Sequence, residues 1–184
     1  MRDESFAYWL VVLKHSRVEG DVDFTKLTRP LSVCGKAVPE NLNGITFGQL
    51  CQLQEIKDVA QMFVRVPKIL LDIEEAQVMK ARAVDVVRLT GWVAQEMKRI
   101  NGLFEKIRRT PKSQEMRAGI DKLNHGMFGT ADWYAKRMGI TDHEEVMSVS
   151  WLRIYQCMKI DHDNALYEER LQKVYENDRK QRRR

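Results

Sequence analysis

Residues 138–158 carry signals for one helix to end and two more to begin within a short distance. Gly139 can adopt the left-handed conformation that ends a helix. Thr141 and Glu144 have the spacing of a capping box, which starts a short acidic helix. An aromatic-rich segment that begins near Trp151 then indicates a third helix. Such close succession of helix signals favours a helical fold with short connections.

The longest helical pattern lies earlier in the chain. Apolar residues recur there at spacings of three, four and seven, which predicts one amphipathic helix over residues 83–108. Thr46 and Gln49 form a second capping box at the start of another helix. Further helices are predicted at residues 3–15, 47–59, 73–79, 113–124 and 148–176, with a short helix begun at Pro67 and another around Trp133.

A small β signal accompanies these helices. The short apolar segments 31–33 and 37–38 flank Gly35 and Lys36. A two-residue loop with glycine first is what a type II′ hairpin requires. The predicted fold class is therefore all-α: a helical bundle of about six to eight helices with a small N-terminal β-hairpin.

The basic, proline-containing joint at residues 108–111 is the expected domain boundary. It separates an N-terminal helical domain with the hairpin, residues 1–110, from a C-terminal helical subdomain, residues 111–178. Residues 179–184 form a basic tail that we expect to be disordered. Its five basic side chains account for the whole net charge of +5, so the rest of the chain is neutral. The basic side chains of the tail are Arg179, Lys180, Arg182, Arg183 and Arg184.

No pattern in the chain predicts catalysis, a cofactor or a small-molecule substrate. The three cysteines are far apart, and the four histidines lie in different predicted elements without a nucleophile motif. The acidic cluster that begins at Asp161 fails as a calcium loop, because Leu166 and Gln172 stand where a glycine and a glutamate are needed. A metal site that combines this cluster with residues from elsewhere is left open. We therefore expect no enzyme, no cofactor and no metal.

Two further features of the sequence concern the location of the protein in the cell. No apolar run approaches the about 20 residues that a membrane span requires. The first residues include acids where a signal peptide needs a basic flank. We expect a cytoplasmic protein that does not associate with membranes.

Aromatic residues of the second half are the candidates for a partner surface. Trp133, Tyr134, Trp151 and Tyr155 lie near basic residues, and their types are over-represented at interface hot spots. Their helical spacing also fits packing in a core. Stacking of nucleic-acid bases on these rings is a third and weaker interpretation.

Several segments resemble the tail assembly chaperones of long-tailed phages and prophages of the Bacteroidetes type. The clearest is G-K-x-x-P-E-x-L-x-x-I-T-F-G-Q-L-x-x-L, from Gly35 to Leu53. It is followed by V-P-K-I-L-L-D-I-E-E-A-Q-V-M at residues 66–79 and D-V-V-R-L-T-G-W-V at residues 85–93. The second half, M-G-I-T-D-H-E-E-V-M-S-V-S-W at residues 138–151, is similar to the small C-terminal helical portion of such chaperones.

The resemblance implies a non-enzymatic chaperone that binds the tape measure protein and tail tube subunits during tail morphogenesis. Such a protein acts in the cytoplasm of the bacterial host and is not expected in the mature virion. Two alternatives stay open: a structural head-tail or tail adaptor of a phage, and a nucleic-acid-associated adaptor that uses the basic tail. Homo-oligomerisation is also left open.

Overall fold

The computed structural model describes residues 4–15 and 27–182, and most of these residues are helical. The predicted all-α class with a small hairpin near the N-terminus is confirmed. The elements among the described residues are, in chain order, α1 (Phe6–His15), β1 (Ser32–Val33), β2 (Lys36–Ala37), a 3-10 turn (Leu42–Gly44), α2 (Phe47–Gln54), α3 (Val59–Leu71), α4 (Glu75–Lys80), α5 (Ala83–Lys106), α6 (Ser113–Arg117), a second 3-10 turn (Ile120–Lys122), α7 (Gly126–Met138), α8 (His143–Met147) and α9 (Trp151–Arg182).

Helix α5 is the centre of the packed part of the protein. The helix predicted at 83–108 is confirmed, and Val86, Val93 and Ile100, which repeat every seven residues, are buried. Helices α1 and α3 and strand β1 all contact it. Thr90 is buried as well, and its hydroxyl donates to the carbonyl of Val86 at 2.9 Å. This bond satisfies the polar group that would otherwise be costly to bury.

The hairpin is present, but its turn is shifted by one residue from the prediction. Val33 pairs with Lys36, which leaves Cys34 and Gly35 as the loop. These two residues have φ values of 49° and 77°. Positive φ at both central positions is the mark of a type I′ turn, so the predicted type II′ turn is wrong. Lys36 is instead a strand residue whose Nζ donates to two backbone carbonyls at the end of α3, both at 2.7 Å.

Helix α2 begins as its capping signal predicts. The Thr46 hydroxyl accepts a hydrogen bond from the Gln49 amide at 3.1 Å, and the Gln49 side chain accepts one from the Thr46 amide at 3.0 Å. The helix ends at Gln54, earlier than the predicted end near residue 59. Gly48 lies on α2 where an added Cβ would come within 3.0 Å of the Met147 carbonyl oxygen, so α2 and α8 approach closely at this point.

Helix α3 contains Pro67 in its interior, and the short helix predicted to begin there is wrong. The helix begins eight residues earlier, after Asp58, whose side chain accepts a hydrogen bond from the amide of Ala60 at 2.9 Å. Phe63 and Val66 on α3 are buried, and the helix packs on α5. Burial of this face stabilises the helix although proline removes one of its hydrogen bonds.

The C-terminal half departs from its predicted pattern at two points. Gly139 ends α7 with φ of 68°, as predicted. However, Asp142 caps α8, and not Thr141, because the Asp142 side chain accepts the hydrogen bond from a first-turn amide. The continuous helix predicted at 113–124 is broken at Gly119, which has φ of 85° and separates α6 from the second 3-10 turn.

The start of α9 connects the two halves of the chain. The Trp151 indole nitrogen donates to the carbonyl of Leu42 at 2.7 Å. The amide of Phe47 donates to the carbonyl of Val149, also at 2.7 Å. Trp151 and Ile154 are fully buried in the same cluster as the residues of α2 and α5. Residues from both sides of the predicted boundary at 108–111 therefore meet in one core.

The 3-10 turn that accepts the Trp151 indole is also held by α5. The Glu96 carboxylate accepts a hydrogen bond from the Leu42 amide at 2.9 Å and two from Arg99, at 2.8 and 2.9 Å. The hydrogen bonds from Arg99, and then that from Leu42, hold the pKa of Glu96 below its usual range although burial acts in the opposite direction. Leu42 is thus fixed through its amide by α5 and through its carbonyl by α9.

Helix α9 has 32 residues and extends well past the core. Only Trp151 and Ile154 among its described residues are fully buried. The helix continues through Arg182, so residues 179–182 of the basic tail are helical where we predicted disorder. Arg183 and Arg184 lie outside the described residues. Among the helices that the structure describes, none has both the length and the apolar character needed to cross a membrane.

Candidate partner-binding groove

A groove of about 900 Å³ lies between three segments that are far apart in the sequence. One side is the loop at residues 107–112, which follows α5. The second side is the first half of α7, and the third is the middle of α9, residues 158–172. We refer to this space as the α7–α9 groove.

Several side chains that line the α7–α9 groove are apolar, and we call this part of the lining its floor. Trp133 on α7 and Met158 on α9 are partly buried there, and Leu166 is 44% exposed at its edge. Gly129 lies on the α7 side, where an added Cβ would be 2.7 Å from the Cβ of His125. Because real Cβ atoms do not approach so closely, a larger residue at position 129 would displace the start of α7.

Arg137 connects α7 to α9 beside this floor. Its guanidinium carbon lies 5.6 Å from the centre of the Trp133 ring, which is within the range of a cation–π contact. The same side chain donates to the Asp161 carboxylate on α9 at 2.6 Å. The hydrogen bond to Asp161 raises the pKa of Arg137 above its usual value. These contacts fix the position of the Trp133 ring in the groove.

The two rims of the α7–α9 groove have opposite charge. The loop after α5 carries three basic side chains, and α9 carries three acidic ones. The Arg109 guanidinium donates to Glu115 at 2.8 Å, which holds the basic loop against the start of α6. The rim residues are Arg108, Arg109 and Lys112 on the loop and Asp161, Glu168 and Glu169 on α9.

The four aromatic residues predicted from the sequence do not form one surface. Trp133 lies in the groove, but Tyr134 and Trp151 are 1% and 0% exposed. Tyr155 is partly buried, with its ring edge against Phe104 at a centroid distance of 5.4 Å. The interpretation of Tyr134 and Trp151 as partner-facing residues is therefore corrected: packing covers both rings, and only Trp133 lines the groove.

The basic tail is separate from the groove. Arg179, Lys180 and Arg182 are exposed on the last turns of α9, beyond the last residue that lines the groove. The sequence did not predict that Arg137 contacts Trp133 and Asp161, or that the two charged rims lie across one groove, because these residues meet only after the three segments pack. The sequence marks the basic 108–111 joint as a boundary and the acidic cluster at Asp161 as a failed calcium loop, but neither signal shows that the two face one groove.

The lining of the groove combines apolar and charged side chains, as protein interfaces do. Within the described ranges, no three His, Cys, Asp or Glu side chains come together as a set that could hold a metal ion. No protein-family model, curated protein or solved structure matches the chain.

Proposed function

We propose that this protein is a non-enzymatic assembly chaperone that holds a helix of a partner protein in the α7–α9 groove. The observation that supports this function best is the open groove itself, with Trp133 and Met158 on its floor. Its volume of about 900 Å³ corresponds to about two turns of a helix that is about 10 Å wide. An apolar helix face would bind there in the helix-in-groove mode.

The charged rims give such a groove a means of selecting its partner. Arg108, Arg109, Asp161 and Glu169 each have an ion-pair partner within the chain, so Lys112 and Glu168 are the rim charges that a partner would meet first. A helix with an acidic residue on the edge near Lys112 and a basic residue on the edge near Glu168 would match both rims at the same time. Complementary charges of this kind fix orientation and favour one partner over others. The preferred ligand is therefore an amphipathic helix with oppositely charged edges.

The resemblance of residues 35–104 to phage tail assembly chaperones suggests the identity of that partner protein. The proposed client is the tape measure protein, whose apolar helices would be covered and then passed to tail tube subunits. In this proposal the protein acts in the cytoplasm of the bacterial host and leaves before the virion is complete.

The test is direct binding of client fragments to the full chain. The probes are overlapping synthetic peptides from the tape measure protein encoded in the same genome, followed by fluorescence anisotropy. Trp133→Ala should weaken binding of the best peptide by at least about tenfold, because a buried aromatic anchor typically contributes that much to an interface. The matched control is Phe128→Ala, since Phe128 is a 60% exposed aromatic on α7 that does not line the groove.

Two results would count against this function. The first is that no tape measure peptide binds, or that both variants bind the best peptide as well as the original chain does. The second comes from mass spectrometry of purified phage particles. A stoichiometric amount of this chain in particles would favour a structural head-tail or tail adaptor over a chaperone.

A further inference from the structure

Residues 113–124, which we call the strap, connect two walls of the α7–α9 groove. Thr110 and Lys112, just before the strap, line the groove from the loop that follows α5, and His125 and Gly126, just after it, line the groove from the start of α7. Leu123 is two residues from His125, and two residues of extended chain reach about 7 Å at most. The strap is therefore tethered to the groove at both of its ends.

The strap carries apolar side chains that lie outside the core. Met116, Ile120 and Leu123 are 48%, 39% and 64% exposed, and none of the three packs on the core cluster. Their spacing of four and three residues is that of one face of an amphipathic helix. Because exposure of apolar surface to water is unfavourable, covering these side chains would stabilise the strap.

Little packing holds the strap in its described position. Helix α6 has five residues and the second 3-10 turn has three, and helices this short are not stable in water without packing. Gly119 and Gly126 have φ values of 85° and 54°, and glycine changes its backbone conformation at low cost. Segments with few buried apolar contacts move at low free energy. The strap can therefore change position while the core stays folded.

The strap and the α9 rim carry unlike charges. Arg117 and Lys122 are basic residues of the strap, and Glu168 lines the groove from α9. Within the described ranges, none of these three side chains forms an ion pair. Of the two acidic residues of the strap, Glu115 already accepts a hydrogen bond from Arg109 at 2.8 Å, which leaves Asp121. The unpaired charges of the strap thus sum to a positive value, which suits the acidic rim.

We propose that the strap closes over the α7–α9 groove and covers its floor, as an autoinhibitory contact that a partner helix must displace. The floor is an apolar surface that both ends of the strap already adjoin. Closure buries Leu123 and the floor residues together and brings Lys122 to the α9 rim. The Arg109–Glu115 ion pair holds the start of the strap in the open position that the structure describes. This inference uses the groove but not the identity of its partner, so the chain alone tests it.

The test is carbodiimide crosslinking of the full chain, without a partner, at low protein concentration. The reagent joins an amine to a carboxylate only where the two are in contact, and Lys122 is not paired with Glu168 in the open position. We expect a crosslink from Lys122 to Glu168 or to the adjacent Glu169 within the monomer, identified by mass spectrometry of the digested protein. Lys122→Arg keeps the charge but has no primary amine, so it should abolish this crosslink.

Two serine variants measure the apolar part of closure. Leu123→Ser should lower the crosslink yield at least about threefold, because it removes apolar surface that closure buries. The matched control is Leu31→Ser, since Leu31 is an 80% exposed leucine next to β1, and it should leave the yield unchanged. Both variants should keep the circular dichroism of the original chain, because neither leucine belongs to the core. The proposal is overturned if the monomer contains no crosslink from Lys122 to α9, if the crosslink forms only between two chains, or if the two serine variants give equal yields.

Discussion

The two long helices of this protein differ in how much of their length is buried. Helix α5 has 24 residues, of which nine are buried, whereas α9 has 32 residues, of which two are buried. Both begin in the core: Val86 of α5 and Trp151 of α9 are 0% exposed. The difference is that α5 stays among neighbours on several sides, while α9 leaves the core after about two turns.

This difference shows where the structure has room for partners. Helices α1 and α3 and strand β1 pack on α5, so the fold explains its buried apolar residues. The free part of α9 retains apolar residues such as Tyr167 and Val174, which contribute nothing to that fold. Contiguous exposed apolar residues of this kind mark interaction sites. Segment 113–124 belongs with α9 in this respect, since Leu123 is 64% exposed and the segment adds nothing to the core cluster.

The largest expected effect is at the point where α9 joins the core. Trp151→Ala removes a fully buried ring and its hydrogen bond to Leu42, and should lower the free energy of unfolding by about 3–5 kcal/mol. Trp133→Ala is the control, because Trp133 is only partly buried, and it should cost less than half as much. Urea unfolding followed by circular dichroism measures both. A Trp151→Ala variant as stable as the original chain would mean that α9 is not anchored in the core.

The same substitution in the two helices tests the comparison directly. Val93→Ala in α5 removes two buried methyl groups and should cost about 2 kcal/mol. Val174→Ala in α9 should change stability by less than about 0.5 kcal/mol at low micromolar protein, because the side chain is already hydrated. Urea midpoints for the pair provide the measurement. Equal losses of unfolding free energy in the two variants would show that the free part of α9 folds back onto the core in solution.

The parts of the fold that the sequence predicts are those with local signals. The Thr46–Gln49 capping box, the left-handed Gly139 and the seven-residue repeat around Val93 each involve residues that are close in sequence, and each is confirmed. The errors lie where a distant contact decides between local alternatives. The packing of α3 on α5 continues a helix through Pro67 despite the proline.

The candidate site was harder to predict than the fold. Its floor and rims come from three segments that only tertiary packing brings together, and a single helix does not reveal which of its faces another helix will cover. Trp133 and Tyr134 show the problem: they are adjacent in the sequence, yet one lines the groove and the other is 1% exposed. Aromatic type alone therefore predicted both as partner residues, although only packing could distinguish them.

The smallest effect that we predict concerns the hydrogen bond between Glu96 of α5 and Leu42, in the turn that receives Trp151 of α9. Because the folded pKa of Glu96 is lowered, ionised Glu96 stabilises the protein above its usual pKa of about 4.3, and this contribution is lost as the pH falls through the lowered value. Glu96→Gln should therefore cost about 1–2 kcal/mol at neutral pH, because it weakens the hydrogen bonds from Arg99 and Leu42. The difference from the original chain should shrink below about pH 4.

The control for this experiment is Glu105→Gln on the same helix. Glu105 is 67% exposed, and its carboxylate lies 3.4 Å from the Arg108 guanidinium in an ion pair that is exposed to solvent. Its removal should therefore change the free energy of unfolding by less than about 0.5 kcal/mol at any pH. Urea unfolding of both variants between about pH 3 and about pH 7 gives the two curves. A Glu96→Gln difference that stays constant across this range would mean that the carboxylate charge does not hold Leu42. The turn that receives Trp151 would then be fixed by packing alone, and α5 would have no electrostatic part in anchoring α9.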